Sequence, residues 1–554
     1  MSPHPSPRGR RVRTGVVATA IGATLLGGLG VADPAGAAPH APKPRVKTSI
    51  VHGVLFVDGG RADDAITLRV PAVKPHLLEI DLGDDGIADA SILRSRFDTI
   101  VVRGRAGNDA LKVDGTSAPF DEPVSLRGNA GNDTLLGGAA SEDLVAGPGD
   151  DTVDGNQGAD SANLGAGDDT FIWDPGDGSD SIEGRAGADT MRFNGSGANE
   201  TFTVDAFGDR LKFTRNVGNI VMDADGVETV DLNALGGGDF TDVRDVRKTD
   251  VTALDISYGV TADSATPDGA TDFTTLVGTQ RPDQVTLTGA AGATQVAGLK
   301  TAVSITGADT FDSLTLFTGR GADRIDASAL AADATRLTLL ADKGNDTVLG
   351  GAGADIVLAG EGNDLVDTNR GDDTADLDED DDTFVWDPGD GSDLVRGDAG
   401  YDTMTFNGSN GDEVMQALPD GDGMRFTRNL GNISMITEGL EQLDVNALGG
   451  TDQVTVDDLS ATTTAAVTVD LAPALGAVGG DGAPDAITVK GTPDDDLITV
   501  SGGANGAVHV ERAESTVDLS NAEPTDSLTV DGNGGVDEID STGLLAGSIL
   551  FGTI

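Results

Sequence analysis

The sequence predicts an all-β solenoid, and three observations carry that expectation. Residues 128–172 divide without a gap into five nonapeptides: GNAGNDTLL, GGAASEDLV, AGPGDDTVD, GNQGADSAN and LGAGDDTFI. Residues 341–385 divide the same way into ADKGNDTVL, GGAGADIVL, AGEGNDLVD, TNRGDDTAD and LDEDDDTFV, and in all ten units position six is acidic and position eight apolar. The third observation is an internal duplication at an offset of 213 residues. FIWDPGDGSDSIEGRAGADTMRFNGS, from Phe171, returns as FVWDPGDGSDLVRGDAGYDTMTFNGS, from Phe384.

A period of nine fits neither the 3.6-residue helix nor a heptad. Glycine at fixed places supplies backbone shapes closed to other residues and lets two chains approach closely. A six-residue turn then hands over to three residues, enough for a short strand whose single apolar side chain faces inward. Two nonapeptides make one flat coil, with turns stacked along both edges. Stacking would repeat the position-six carboxylate about every 4.8 Å, the inter-strand spacing. Bare charges at that distance repel by roughly 1 kcal/mol in water and several-fold more at lower dielectric. Such a ladder calls for a cation, and oxygen donors without cysteine favour a hard ion such as Ca²⁺.

The candidate ligands of the first run are Asp133, Glu142, Asp151, Asp160 and Asp169. Those of the second are Asp346, Asp355, Asp364, Asp373 and Asp382. Asp180 and Asp393 in the WDPGDGSD phrases, and Asp189 and Asp402 in GRAGADTM and GDAGYDTM, extend the ladders.

These units resemble the hemolysin-type, or RTX, calcium-binding repeat G-G-x-G-x-D-x-U-x. Together with the NALGGxD and WDPGDGSD phrases, the pattern resembles multi-repeat secreted RTX calcium-binding proteins of bacteria. The resemblance implies a right-handed parallel β-roll or β-solenoid, here built from an internal duplication. It also implies ions between stacked turns, held by position-six carboxylates and turn carbonyls. On that stacking five turns share three sites, so two runs give about six ions, and the WDPGDGSD extensions raise the number toward ten. Two units depart from the pattern. GGAASEDLV carries Ala140 and Glu142 in place of Gly and Asp, and LDEDDDTFV carries Asp380 in place of Gly within five consecutive acids, Asp378 to Asp382.

Between the runs, segments such as SILRSRFDTIVVRG, DSLTLFTG and DQVTVDDL alternate apolar and polar residues and are punctuated by Gly, Asp and Asn, the grammar of strands and turns. GRGADRID and GNGGVDEID are isolated look-alikes of the repeat. The spacers are therefore expected to be coils of the same solenoid with degenerate turns. The expected organisation is a signal peptide over 1–37, a linker over 38–49 and a partial β-rich unit over 50–127. A repeat block at 128–192, a spacer at 193–340, a second block at 341–405 and a second spacer at 406–554 follow.

Composition narrows function. Asp plus Glu number 93 against 36 Lys plus Arg, a net charge of −57, which argues against nucleic acid and anionic membranes as partners. Calcium ions and an extracellular polymer or cell surface remain. Aromatic residues are only 4%, so cores must be thin. Cysteine is absent, which leaves calcium as the available staple for an extracellular chain. Arg8, Arg10, Arg11 and Arg13, an apolar stretch from Gly15 to Val31, and Ala35-Gly36-Ala37 read as a secretory leader. No other window is long and apolar enough to span a bilayer, so no membrane span is expected in the mature chain.

No H-E-x-x-H, G-x-S-x-G or Walker A motif occurs, and the duplication leaves no unique stretch for a catalytic domain. The chain is expected not to be an enzyme. The alternative is a secreted polymer-degrading hydrolase or lyase with its site on a solenoid face. Trp173 and Trp386, in equivalent phrases, are expected to close coils rather than stack on sugars.

Overall fold

The computed structural model describes residues 46–554 except 116, 117, 119, 121, 503 and 504. The expected signal peptide and all but the end of the expected linker lie outside the described residues. The described residues hold strands, turns and three single-turn 3-10 segments, with no α-helix. They build a β-solenoid whose strands fall into two sheets of 24 strands each. The pairings run as an open ladder in each sheet, from one end of the solenoid to the other.

Within a run the chain alternates between the sheets. Thr134–Leu136, Thr152–Asp154 and Thr170–Trp173 stack in parallel on one sheet. Asp143–Pro148, Ser161–Ala166 and Ser181–Ala186 stack on the other. Register places position-eight residues above one another. Leu135, Val153, Phe171 and Met191 form one inward column, and Leu126, Leu144, Ala162 and Ile182 form the facing one. All are fully buried. The coil that carries Phe171 on one sheet carries Ala162 on the other, as Phe384 goes with Ala375 in the second run. In these two coils a ring on one sheet is matched by a methyl group on the other, which keeps the thin core close-packed.

Trp173 and Trp386 are fully buried. Their rings stack on Phe193 and Phe406 at 4.0 and 4.1 Å. Their indole N–H groups donate to the carbonyls of Gly178 (2.7 Å) and Gly391 (2.9 Å), so both close the enlarged WDPGDGSD turn as expected and neither faces a sugar.

The spacers continue the solenoid but are not simple coils. The expectation of single degenerate coils fails at five places, where an antiparallel three-stranded meander replaces one strand. In the first spacer Thr201–Phe207, Arg210–Arg215 and Ile220–Asp225 form one. Its last strand pairs in parallel with the preceding coil and its first with the following one. Its tight turns come from Phe207-Gly208-Asp209 and the Val217–Asn219 segment, where Gly208 and Gly218 have φ of 74° and 79°. The others span residues 65–93, 284–306, 414–438 and 497–520, and successive meanders lie on alternate sheets. Each adds two strands to its sheet, so alternation keeps the two stacks level. Among the described residues no helix is long and apolar enough to cross a membrane.

Candidate metal centre

Each coil turns twice, and every turn of a run places its position-six carboxylate inside the edge. Asp133, Asp151, Asp169 and Asp189 line one edge, and Glu142, Asp160 and Asp180 the other. In the second run Asp346, Asp364, Asp382 and Asp402 line the first edge, and Asp355, Asp373 and Asp393 the second. All fourteen predicted residues are at most 3% exposed.

One backbone contact recurs from rung to rung. The N–H of Asp133 donates to Oδ1 of Asp151 (2.6 Å), that of Asp151 to Asp169 (2.7 Å) and that of Asp169 to Asp189 (3.0 Å). On the other edge Glu142 donates to Asp160 (2.6 Å) and Asp160 to Asp180 (2.9 Å). The second run repeats this through Asp346, Asp364, Asp382 and Asp402, and through Asp355, Asp373 and Asp393. The rungs are 18 residues apart inside a run and 20 apart across WDPGDGSD, because that phrase enlarges the turn by two residues.

Each of these acceptor carboxylates thus spends one oxygen on holding the preceding turn in place, while Glu142 and Asp355, the first rungs of the second edge, accept from Gly138 and Gly351 of their own turns. The second oxygen is buried and has no donor in Asp133, Glu142, Asp151, Asp160, Asp169, Asp180 and Asp189. The same holds for Asp346, Asp364, Asp373, Asp382, Asp393 and Asp402. Asp355 is the exception, because its Oδ2 accepts from the N–H of Gly351 (2.6 Å). A buried acceptor with no partner is rare, and a whole edge of them marks a place built for a positive charge. Burial first, and neighbouring rungs second, push Asp151 up to about 7 and Asp160, Asp373 and Asp382 up to about 8.

Glycine at position four lets the turns close on one another. Gly149 and Gly167 have φ of 139° and 136°. A Cβ on either would overlap the carbonyl oxygen of the glycine one coil before, Gly131 and Gly149 respectively. Among the described residues no three acidic or histidine side chains converge on one point. A cation between two rungs would therefore meet two carboxylates at most and take its other ligands from backbone carbonyls or water. That donor set is all oxygen and fits calcium. Bound there, the ion would neutralise the ladder and give the orphaned oxygens a partner.

The ladders also reach beyond the predicted residues. Asp64 donates to Asp109 and Asp109 to Asp133, both at 2.7 Å. Asp283 donates to Asp323 (2.7 Å) and Asp323 to Asp346 (2.6 Å). The signal was present in RAGNDALKV and GRGADRID, which keep the acidic position but have no neighbouring nonapeptides. At the far end of the first edge Glu228 and Glu441 receive the N–H groups of Asp189 and Asp402, both at 2.8 Å.

Stacked turns with buried acid ladders define a repeat-built, cation-binding β-solenoid. The chain carries RTX calcium-binding nonapeptide repeats. The family profile, four copies long, matches residues 125–144, 136–171, 176–206, 340–375, 359–385 and 389–404. No curated protein matches the chain. Among solved structures, the crystal structure of extracellular lipase LipA from Serratia marcescens aligns over 62% of this chain and 43% of that one, at 15% identity and a TM-score of 0.17. A likeness that slight carries no argument.

Two outcomes are expected. The ladder carboxyls hold protons more tightly in the metal-free folded chain than in the unfolded one, so their contribution is present at low pH and lost as pH rises through about 6 to 8. In excess chelator the melting temperature should therefore be higher at pH 5 than at pH 8. Calcium titrations should show a midpoint that falls as pH rises over the same window. Separately, Asp380 holds φ of 83° at a glycine position, a conformation costing a side-chain residue about 1 kcal/mol. Asp380→Gly should raise the melting temperature in chelator at pH 5, and an unchanged value would show that backbone strain at Asp380 does not limit stability.

Proposed function

We propose that this chain is exported and folds outside the cell as calcium binds its ladders, serving as a rigid structural or adhesive element with about six to ten ions. The orphaned, buried carboxylate oxygens carry this reading. Without a cation they must be desolvated beside one another while a thin core opposes chain entropy. With calcium, binding free energy becomes folding free energy. Extracellular modules bind Ca²⁺ at about 10⁻⁴–10⁻³ M, so low cytosolic calcium would leave the chain loose before export. The leader-like residues 1–37 support secretion. Circular dichroism during a calcium titration tests the reading: the β signal should rise with calcium, and a full β signal in excess chelator at pH 8 would sink it.

One observation favours a second reading, hydrolysis on a solenoid face. Ser501, His509 and Asp518 are direct cross-strand neighbours on the meander at 497–520, beside a depression of about 290 Å³. His509 Nδ1 lies 2.7 Å from Asp518 Oδ1. Asp518 would orient the imidazole and leave Nε2 to take the Ser501 proton as Oγ attacks an acyl carbon. Both partners are open to solvent, His509 at 41% and Asp518 at 52%, which weakens the arrangement as a base. The equivalent trio in the first copy, Thr288, Gln295 and Ser304, contains no base. Calcium-loaded protein should leave ester, peptide and polysaccharide substrates intact; turnover abolished by Ser501→Ala would establish the hydrolase instead.

A further inference from the structure

The spacers contain acid ladders of their own, which run beyond the matched repeats from Asp239 and from Glu413 onward and are differently built. On the second edge Glu200 N–H donates to Asp239 Oδ1 (2.8 Å), Asp239 to Asp272 (2.7 Å) and Asp272 to Asp312 (2.8 Å). In the second copy Glu413 donates to Asp452 (2.8 Å), Asp452 to Asp485 (2.8 Å) and Asp485 to Asp526 (3.0 Å). The later rungs are 33 to 41 residues apart in sequence, with strands of both sheets between them, so no nine-residue period announces them.

The two ends of these ladders differ. At the head, Glu200 is bound by the guanidinium of Arg215 (Nε to Oε1, 2.6 Å) and Glu413 by Arg428 (2.7 Å). Both pairs are buried, under Trp173 and Trp386 respectively. There the protein supplies its own cation. One rung further it supplies none. Asp239 and Asp272 are each 1% exposed, and their Oδ2 atoms have no donor; Asp452, equally buried, is in the same state.

Each of these turns also receives a second carboxylate from the turn after it. Asp268 accepts from Gly237 N–H (3.0 Å) and Asp309 from Gly269 N–H (2.9 Å). Asp481 and Glu523 do the same for Gly450 and Gly482, both at 2.9 Å. The arrangement is thus present twice, with acids at every corresponding place.

Resting on the calcium reading above, we infer that the turns at Asp239–Asp272 and Asp452–Asp485 each hold a hard divalent cation, most simply Ca²⁺. The two position-six carboxylates of each pair would ligate it. Asp268 and Asp481, whose oxygens already accept backbone N–H groups, shape the turn and add negative charge. Calcium would then set the spacers as well as the repeat runs, and the buried Arg pairs would fix the first spacer rung without metal.

The test uses the full chain with Asp239, Asp272, Asp452 and Asp485 all changed to Asn, which keeps side-chain size and an oxygen for the backbone N–H. Bound calcium is counted by equilibrium dialysis, and melting temperature is read with calcium and, at pH 5 where protons stand in for the ion, with chelator. The variant should lose two ions, one per copy, and show a smaller calcium-induced rise in melting temperature, with no loss of stability in chelator. Asp151→Asn/Asp169→Asn should lose ions from the first run and retain these two. An unchanged ion count in the quadruple variant overturns the inference while leaving the calcium reading intact. Wild-type protein that binds no calcium overturns both. Should the quadruple variant fail to fold, Asp239→Asn/Asp272→Asn alone must lose one ion, and retention of all of them overturns the inference.

Discussion

The structure depends on a hydrogen bond that is half of a complete arrangement. Past the first rung of each ladder, the carboxylate accepts the backbone N–H of the preceding rung and so fixes the spacing and register of successive turns. Its other oxygen is carried into the edge with no donor. A buried acceptor left unpaired costs about 1–3 kcal/mol, more when charged. For Asp133, Glu142, Asp151, Asp160, Asp169 and Asp180 together that is about 6–18 kcal/mol, as large as the whole stability of an ordinary domain. The core behind them is one side chain deep and cannot offset such a term. The turn geometry that makes the solenoid is therefore the same geometry that makes it dependent on a counter-charge, whether proton or metal ion.

The parallel stack and its inward columns were legible because the repeat writes them in sequence. Position eight of each nonapeptide names a core residue, and Leu135, Val153 and Phe171 stand in register as that predicts. The meanders were not legible as such. RLKFTRNVGNI alternates like any strand, and nothing in alternation says whether a strand pairs in parallel with the next coil or antiparallel with its neighbour. That choice is made by turn length. Phe207-Gly208-Asp209 and Asn216–Asn219 are too short for a crossover and force the chain back beside itself. The alternation of meanders between sheets is a global constraint that no single segment reveals, since it concerns how many strands each stack has accumulated.

The candidate site shows the same division. Residues whose acid lay inside an uninterrupted nonapeptide were all placed on the ladders. Asp109 and Asp323 occupy equivalent rungs but stand alone in sequence, and Asp239 and Asp272 are separated by an enlarged coil of 33 residues. Stacking in space needs only that the chain return to the same edge, not that it return after a fixed number of residues. A nine-residue period is sufficient evidence for a rung and is not necessary for one.

The two kinds of rung in the spacers allow the requirement for positive charge to be judged within one molecule. Glu200 and Glu413 occupy ladder positions, each donating its N–H to the next carboxylate as the repeat residues do. Each has a buried guanidinium against it and no orphaned oxygen. Asp239 and Asp452, one coil on, have the same backbone contact and the same burial, no guanidinium, and an orphaned oxygen. The onward backbone contact and the burial are common to these positions, while the acid, Glu or Asp, and its partner differ. A fixed side-chain cation is available where a meander strand, Arg210–Arg215 or Gly423–Arg428, passes the ladder and can deliver an arginine. Elsewhere only turns pass, and those leading to Asp239, Asp272, Asp452 and Asp485 contain no Lys or Arg. The parts of the edge that no arginine serves are those where a carboxylate oxygen stays buried without a donor and open to a mobile ion.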